Sequence, residues 1–262
     1  MKKTLWPAVA WTAFVIGASV FAPVFLDSRA GVMDFSHALE APSRLHLLGT
    51  DSLGRDLLLR ILTGAHVSLG VGLIAVALAT LMWLFLGALA GYRGGLCDRA
   101  VMSLADIFLC FPAFFLILAV VAVVGPSVWN LTVILGFTGW MGTARLVRAE
   151  VLSLKEREFI LASRAMGGRS LWIIRRHLVP NALGPVIVNA ILTVPTVLLA
   201  ETGLSFLGIG VQPPTPSWGN ILSDGRAALG AAWWLTFFPG ACIFLTVFSL
   251  NALGEALHDA AS

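Results

Sequence analysis

The stretch from Ile61 to Tyr92 reads ILTGAHVSLGVGLIAVALATLMWLFLGALAGY. It holds no acidic or basic side chain apart from His66, which is neutral when deprotonated. A helix needs about 20 apolar residues to cross the hydrocarbon core of a bilayer, and this run exceeds that. It has no period-2 alternation and is too long for a buried strand, so it reads as a membrane-spanning helix. Composition agrees. Hydrophobic residues make up 58% of the 262-residue chain and charged residues 12%, against roughly 45–50% and 25% in soluble domains. The surplus apolar surface has to face lipid, where only structures that satisfy every backbone polar group internally are stable.

Working outward, the same reading recurs along the chain. Trp6–Leu26 and Ala227–Gly254 carry no charge, and Leu183–Ile209 carries only Glu201. Val101–Ala144 carries only Asp106 and is divided by Gly125-Pro126. Six transmembrane helices are predicted, near 5–26, 66–92, 100–124, 127–147, 183–207 and 232–254. Pro112 and Pro195 interrupt two of them and predict kinks. Residues 1–60 form an N-terminal anchor helix and an external segment, and 61–262 form the membrane body. The first apolar run is longer than the 7–15-residue core of a signal peptide, so it reads as an uncleaved anchor. Gly87 and Gly91 have helix-packing spacing, which fits contacts within one chain or a subunit interface. Cys110 and Cys242 lie within spans and Cys97 in a short loop, without metal or redox spacing.

Basic residues mark the cytoplasmic side. With the N-terminus inside, Lys2, Lys3, Arg93, Arg99, Arg145, Arg148, Lys155, Arg157, Arg164, Arg169, Arg175 and Arg176 are cytoplasmic. Only Arg29, Arg44, Arg55, Arg60 and Arg226 are external, so 12 of the 17 basic residues lie inside. Both termini are therefore expected in the cytoplasm. The net charge of +3 reflects this topology, and no nucleic-acid partner is inferred from it.

The loop within 150–181 has its own pattern. Phe159, Ala162, Ala165 and Met166 lie at helical spacing, Gly167-Gly168 breaks the helix, and a second helix begins near Ser170 with Leu171, Ile174 and Leu178. Pro180 is expected to end it before the chain re-enters the membrane. An exposed apolar helix suits a partner's groove. The composition also fits a basic juxtamembrane loop that sets orientation or touches anionic lipid.

Leu161-Ala-Ser-Arg-Ala-Met-Gly167 through His177-Leu-Val-Pro-Asn181 resembles the EAA loop of binding-protein-dependent ABC permeases. Ala162, Gly167 and Pro180 fall in register, while Leu161, Ser163, His177 and Val179 replace the motif's Glu, second Ala, Ile and Leu. Leu48-Gly-Thr-Asp-Ser-Leu-Gly-Arg-Asp56, Gly64-Ala-His-Val-Ser-Leu69, Leu204–Gly219 and Asn251–Asp259 are similar to segments of the second ("C") permease subunit in the peptide/nickel branch. The resemblance runs from about Leu48 to Asp259. It implies an all-α integral membrane protein: a five-helix type I ABC importer permease core plus the anchor helix.

It further implies a sister permease in a heterodimer, one or two cytoplasmic ATPases docked on the loop, and an external solute-binding protein. Phe159, Leu161, Ala162, Ala165, Gly167, His177, Pro180 and Asn181 become the coupling residues. ATP and magnesium would be bound by the partner ATPases, and this chain would hold no cofactor. Consistently, G-x-x-x-x-G-K-[ST] is absent and the lysines are only Lys2, Lys3 and Lys155. No catalytic set and no metal-ligand cluster is visible among the scattered histidines.

Carboxylates at membrane depth normally face a partner or a water-filled path, so Glu201 and Asp106 are the candidates for a translocation path. Asp106 also fits the cytoplasmic end of its helix, near Arg99, and Glu201 a buried polar contact. The Gln212–Trp218 segment is too proline-rich for a helix. It reads as a cap over the pore or a docking surface, or as a stiff loop with Trp218 anchored at the membrane interface. Asp51, Arg55 and Asp56 are expected to pair at a water-exposed surface, in a helix started near Asp51. The competing reading is a stand-alone secondary transporter, which the lack of internal repeats disfavours. Peptides lead as substrates by family weight, with nickel complexes, opines and glutathione as alternatives.

Overall fold

A computed structural model describes the backbone of residues 2–261 and the side chains of all of these except 2–4, 26–29 and 261. Lys2, Lys3 and Arg29, counted above for orientation, lie outside the described side chains. Ten helices follow in order among the described residues: α1 (Lys2–Ala30), α2 (Leu57–Arg93), α3 (Gly95–Leu109), α4 (Ala113–Val124), α5 (Val128–Thr138), α6 (Trp140–Leu154), α7 (Glu158–Ala165), α8 (Ser170–Phe206), α9 (Trp218–Ala227) and α10 (Trp234–Ala261). The described residues contain no strand, only an isolated bridge between Thr50 and Asp56. By length and apolarity α1, α2, α8 and α10 can each cross a membrane, and α3 with α4 makes a fifth crossing if the bent pair counts as one.

The helix ends follow local chemistry. Helix α2 starts at Leu57 because the Asp56 carboxylate accepts the Leu59 N–H at 3.1 Å, an N-cap. The expected start near residue 66 and the expected external helix near Asp51 are thus replaced by one 37-residue helix. The expected 100–124 span is broken. Pro112 takes an extended ψ of 126° and lacks an N–H, so α3 and α4 meet at 88°. Cys110 lies in that break and Cys97 in the first turn of α3 rather than in a loop.

The expected 127–147 span is divided at Gly139 into α5 and α6. The Gly139 carbonyl is taken up at 3.0 Å by the indole N–H of the buried Trp83. Trp83 opens a π turn, Trp83–Gly87, inside α2.

Pro180 does not end its helix. A second π turn, Ile174–Leu178, precedes it, with the Val179 N–H bonded five residues back to Ile174. The wider turn admits the proline ring, which clashes with the preceding carbonyl in a regular helix. Asn181 Nδ2 donates to the His177 carbonyl at 2.6 Å. Helix α8 therefore runs unbroken for 37 residues through Pro180, Pro185 and Pro195.

Helix α2 packs against α1, α5 and α8, and α8 also packs against α10. One apolar cluster joins the end of α2 to α6, α7 and the start of α8 through Trp83, Val147, Ile160, Ile173 and Leu178. A second joins the start of α2 to α9 and α10 through Leu57, Trp218, Ile221 and Leu235. The third fills the middle. Helix α1 lies on the outside: Phe14, Phe21, Val24 and Phe25 are exposed, as lipid-facing side chains are. It is fastened by Trp11 Nε1 to Thr246 Oγ1 at 3.0 Å and by the Ser19 carbonyl, 2.8 Å from His66 Nδ1.

The Gly87/Gly91 pair serves packing within the chain. A Cβ on Gly87 would lie 2.7 Å from the Ala144 carbonyl, and one on Gly91 2.9 Å from that of Arg148, both on α6. Gly87→Leu is expected to cost about 1–3 kcal/mol by overpacking, read as a lower thermal midpoint of the detergent-solubilised protein. Gly17→Leu, with no atom within 4 Å of the added Cβ, is expected to leave that midpoint unchanged.

Candidate functional site

Helix α7 ends in a glycine elbow. Gly167 has φ +82°, which glycine adopts without strain. The Gly167 N–H donates to the Arg164 carbonyl at 2.9 Å and the Gly168 N–H to that of Ser163 at 3.0 Å, the two bonds of a Schellman cap. Only one side of α7 is covered, where Ile160 and Ser163 are buried. Phe159, Leu161, Ala162, Ala165 and Met166 are all exposed, so the apolar stripe read from the sequence stays largely uncovered among the described residues.

His177 sits beside the elbow, with its ring centroid 5.0 Å from that of Trp172 and 6.1 Å from that of Phe159. The Arg164 guanidinium lies 4.7 Å over the Tyr92 ring, tying α7 to the end of α2. Of the second helix's expected face, Leu178 is buried, Ile174 half-buried and Leu171 exposed; Ile173 takes the buried position. The structure thus brings Phe159, Leu161, Ala162, Ala165, Gly167 and His177 into one elbow, with Pro180 and Asn181 one turn along α8.

The two candidate path carboxylates part company. Asp106 is exposed and pairs with Arg145. Around it lie Asp98, Arg99 and Arg148, in a polar recess of about 520 Å³ on α3 and α6. Glu201 is wholly buried. Ser205 Oγ donates to it at 2.8 Å and Thr202 Oγ1 lies at 3.5 Å. The Ser68 and Ser217 hydroxyls face the same carboxylate. The two carboxylates do not share a cavity: the recess holding Asp106 is lined only by α3 and α6 side chains, while Glu201 lies between α8, α2 and the start of α9.

The external segment departs most from expectation. Asp51 is completely buried, and Arg55 and Arg60 nearly so. Asp51 Oδ2 accepts Arg55 Nε at 2.6 Å and also pairs with Arg60, while Asp51 Oδ1 accepts the backbone N–H groups of Leu53 and Arg55. Arg60 bonds Asp224 of α9 at 2.8 Å. This is a buried ion cluster rather than a water-exposed pair, and Asp56 stands apart as the α2 cap, 2.9 Å from His46. Asp224 was invisible from sequence because it lies 164 positions from Arg60.

Nearby, an exposed Asp34–His37 pair shifts both groups: the Ser36 hydroxyl and His37 hold Asp34 below its ordinary range, and Asp34 raises His37. Of the expected Gln212–Trp218 segment, 212–217 is non-helical, but Trp218 opens α9, capped by Ser217. Trp218 is not an interfacial anchor: it is buried, with its indole N–H on the Ile61 carbonyl at 3.0 Å.

Long apolar helices with exposed apolar flanks and an exposed apolar elbow are the build of a multi-pass membrane protein. Residues 83–261 match the family described as binding-protein-dependent transport system inner membrane component. The chain is 37% identical over 246 residues to the oligopeptide transport system permease protein OppC of Bacillus subtilis, covering 94% of this chain and 81% of that one. It is 41% identical over 249 residues to the dipeptide transport system permease protein DppC of Alkalihalophilus pseudofirmus, covering 95% and 82%. To the glutathione transport system permease protein GsiD of Pectobacterium atrosepticum it is 38% identical over 227 residues, covering 87% and 75%.

In fold it is similar to a chain of the inward-facing MetNI methionine ABC transporter, with a TM-score of 0.58 at 22% identity over 76% of this chain and 94% of that one. The chain belongs to the binding-protein-dependent transport system inner membrane component family. It is a multi-pass inner-membrane permease subunit of an ABC importer, from a transporter family rather than a catalytic one. Membership implies ATPase and solute-binding-protein partners.

Proposed function

We propose that this chain forms half of the translocation pore of a peptide importer, paired with a homologous sister permease. One or two ATPases dock on the elbow and bind the ATP and magnesium. The observation that carries this reading is the exposed apolar face of α7, joined by the Gly167 turn to an unbroken α8. A nucleotide-driven movement of the docked ATPase would reach the membrane through a rigid rod rather than a loop. Phe159, Leu161, Ala162 and Ala165 make the docking face, Gly167 sets its angle, and His177, Pro180 and Asn181 hold the root of α8.

In this reading α5 and α6 together make the sixth crossing, beside α1, α2, the α3–α4 pair, α8 and α10. Residues 1–60 are the anchor and external segment, 61–262 the permease body, and 150–181 the coupling loop. Both termini lie in the cytoplasm, which places the Asp51 cluster and the 207–217 segment outside. The Asp106–Arg145 pair then sits near the cytoplasmic entrance, where Asp106 can line the path's inner end. Glu201, wholly buried within the chain, stands behind the path rather than in its lining. Peptide cargo is supported by the names of the relatives, and a glutathione-like solute is the alternative.

The test is purification of this chain from native membranes in mild detergent, with partners identified by mass spectrometry. One homologous permease and one or two P-loop ATPases are expected. Recovery of this chain alone, under conditions that keep other complexes intact, would contradict the reading and favour a stand-alone transporter.

A further inference from the structure

Glu201 is the one carboxylate among the described residues that is wholly buried with no cation against it; Asp51, also buried, has two. What surrounds Glu201 is ordered. Ser205 Oγ accepts the Val211 N–H at 2.9 Å, Ser68 Oγ the Trp218 N–H at 3.1 Å, and Ser217 Oγ the Asn220 N–H at 3.2 Å. Each of these serines receives a backbone hydrogen, and Ser205 gives its own hydroxyl hydrogen to the carboxylate. One relay is complete, from the Val211 N–H through Ser205 to Glu201, and the Ser68 and Ser217 hydroxyls lie beside the same side chain. The relay starts from the 207–217 segment, while the first turn of α9 holds Ser68 of α2 and Ser217 of its own cap through the Trp218 and Asn220 N–H groups.

Packing at the same place is tight. A Cβ on Gly219 would lie 2.6 Å from both the Thr202 carbonyl and Ser205 Cβ, and one on Gly64 would lie 3.4 Å from the Ser217 carbonyl carbon. Backbones touch here, with no room for one element to slide on another.

We propose that Glu201 is a positioning residue that fastens the outer 207–217 segment and the start of α9 to α8 and α2, so that a movement entering at the elbow moves the outer segment with it. The inference rests on the coupling reading above. Helix α8 starts at Ser170, next to the elbow, and Glu201 lies near its other end. At 1.5 Å per residue a helix of this length spans about 55 Å, enough to join the two faces of a bilayer. A rod transmits to a loop only if the loop is tied to it, and the Val211–Ser205–Glu201 relay, with the close backbone packing around it, is that tie. Glu201→Gln keeps the volume but replaces an acceptor oxygen by an NH2 group, which can no longer accept the Ser205 hydroxyl hydrogen at that position.

The experiment uses the intact complex with its partner ATPases in lipid nanodiscs. Thr215→Cys is placed in a chain whose Cys97, Cys110 and Cys242 are alanine, and its reaction with a membrane-impermeant maleimide is timed with and without ATP plus vanadate. With Glu201 present, the rate is expected to change about fivefold or more between the two states. With Glu201→Gln, basal ATPase is expected to stay within about twofold while the nucleotide-dependent change falls below about twofold.

A Glu201→Gln complex that keeps the full nucleotide dependence would overturn the proposal. So would one in which ATPase, assembly and thermal midpoint fall together with it, which is what a role in folding alone predicts. If Glu201→Gln does not assemble, Ser205→Ala, which removes the hydroxyl between Val211 and the carboxylate, carries the same two outcomes. Absence of any nucleotide dependence at Thr215 with Glu201 intact would instead count against the coupling reading.

Discussion

Ala162→Asp is expected to leave the chain in the membrane at normal abundance and to cut ATP-driven uptake by a factor of about 100 or more. Ala162 is exposed on α7, so a carboxylate there costs the isolated chain little. Against an apolar groove the same carboxylate is buried unpaired, and such changes at the centre of an interface cost about 2–4 kcal/mol or more. Gly167→Pro should give the same outcome by another route. Proline holds φ near −65° where the chain needs +82°, and it removes the N–H that closes the turn on Arg164. The docking helix would then leave α8 at the wrong angle. Uptake and membrane abundance, measured side by side, check both variants, and normal uptake by either would refute the account of the elbow.

The second large effect concerns stability. Asp51→Ala is expected to destabilise the chain by about 3–5 kcal/mol, because it leaves two buried guanidinium groups without their shared carboxylate. Arg60 would retain only Asp224, and Arg55 only a contact with it at 3.6 Å. The backbone N–H groups of Leu53 and Arg55 would lose their acceptor as well. Asp224→Ala should cost less, since Asp51 remains to serve both arginines. The thermal midpoint of the detergent-solubilised protein is the readout, with the exposed Asp34→Ala as control. A midpoint for Asp51→Ala equal to that of the control would mean the cluster does not hold the outer segment to α9.

Much of the fold was legible because lipid imposes so strong a constraint. Uncharged runs such as Ile61–Tyr92 and Leu183–Ile209 have few alternatives to helix. Where the reading failed, the cause was a backbone adjustment that residue type alone does not reveal. Pro180 looked like a stop, but a π turn winds one extra residue ahead of it and the helix continues. Gly139 looked like an ordinary member of a span, but the indole of Trp83 takes its carbonyl, 56 positions away. Pro112 was read as a kink and is a near right angle.

The elbow was legible because all its parts lie within some twenty residues and a glycine marks the turn. The Asp51 cluster was not, because Asp224 lies 164 positions from Arg60, and the Glu201 relay was not, because it depends on how the non-helical 207–217 segment folds back onto Ser205. Short-range spacing placed Asp51 with Asp56 at a wet surface; burial against α9 gave it Arg60 and Asp224 instead.

The most direct test of the importer assignment is uptake by the purified complex in proteoliposomes. Radiolabelled trialanine and the co-encoded binding protein are supplied on one face, with ATP on the face that carries the elbow. The account predicts accumulation that needs both ATP and the binding protein and that persists when a protonophore collapses the proton gradient. Accumulation without ATP, driven by the gradient and abolished by the protonophore, would contradict it and make this chain a secondary transporter.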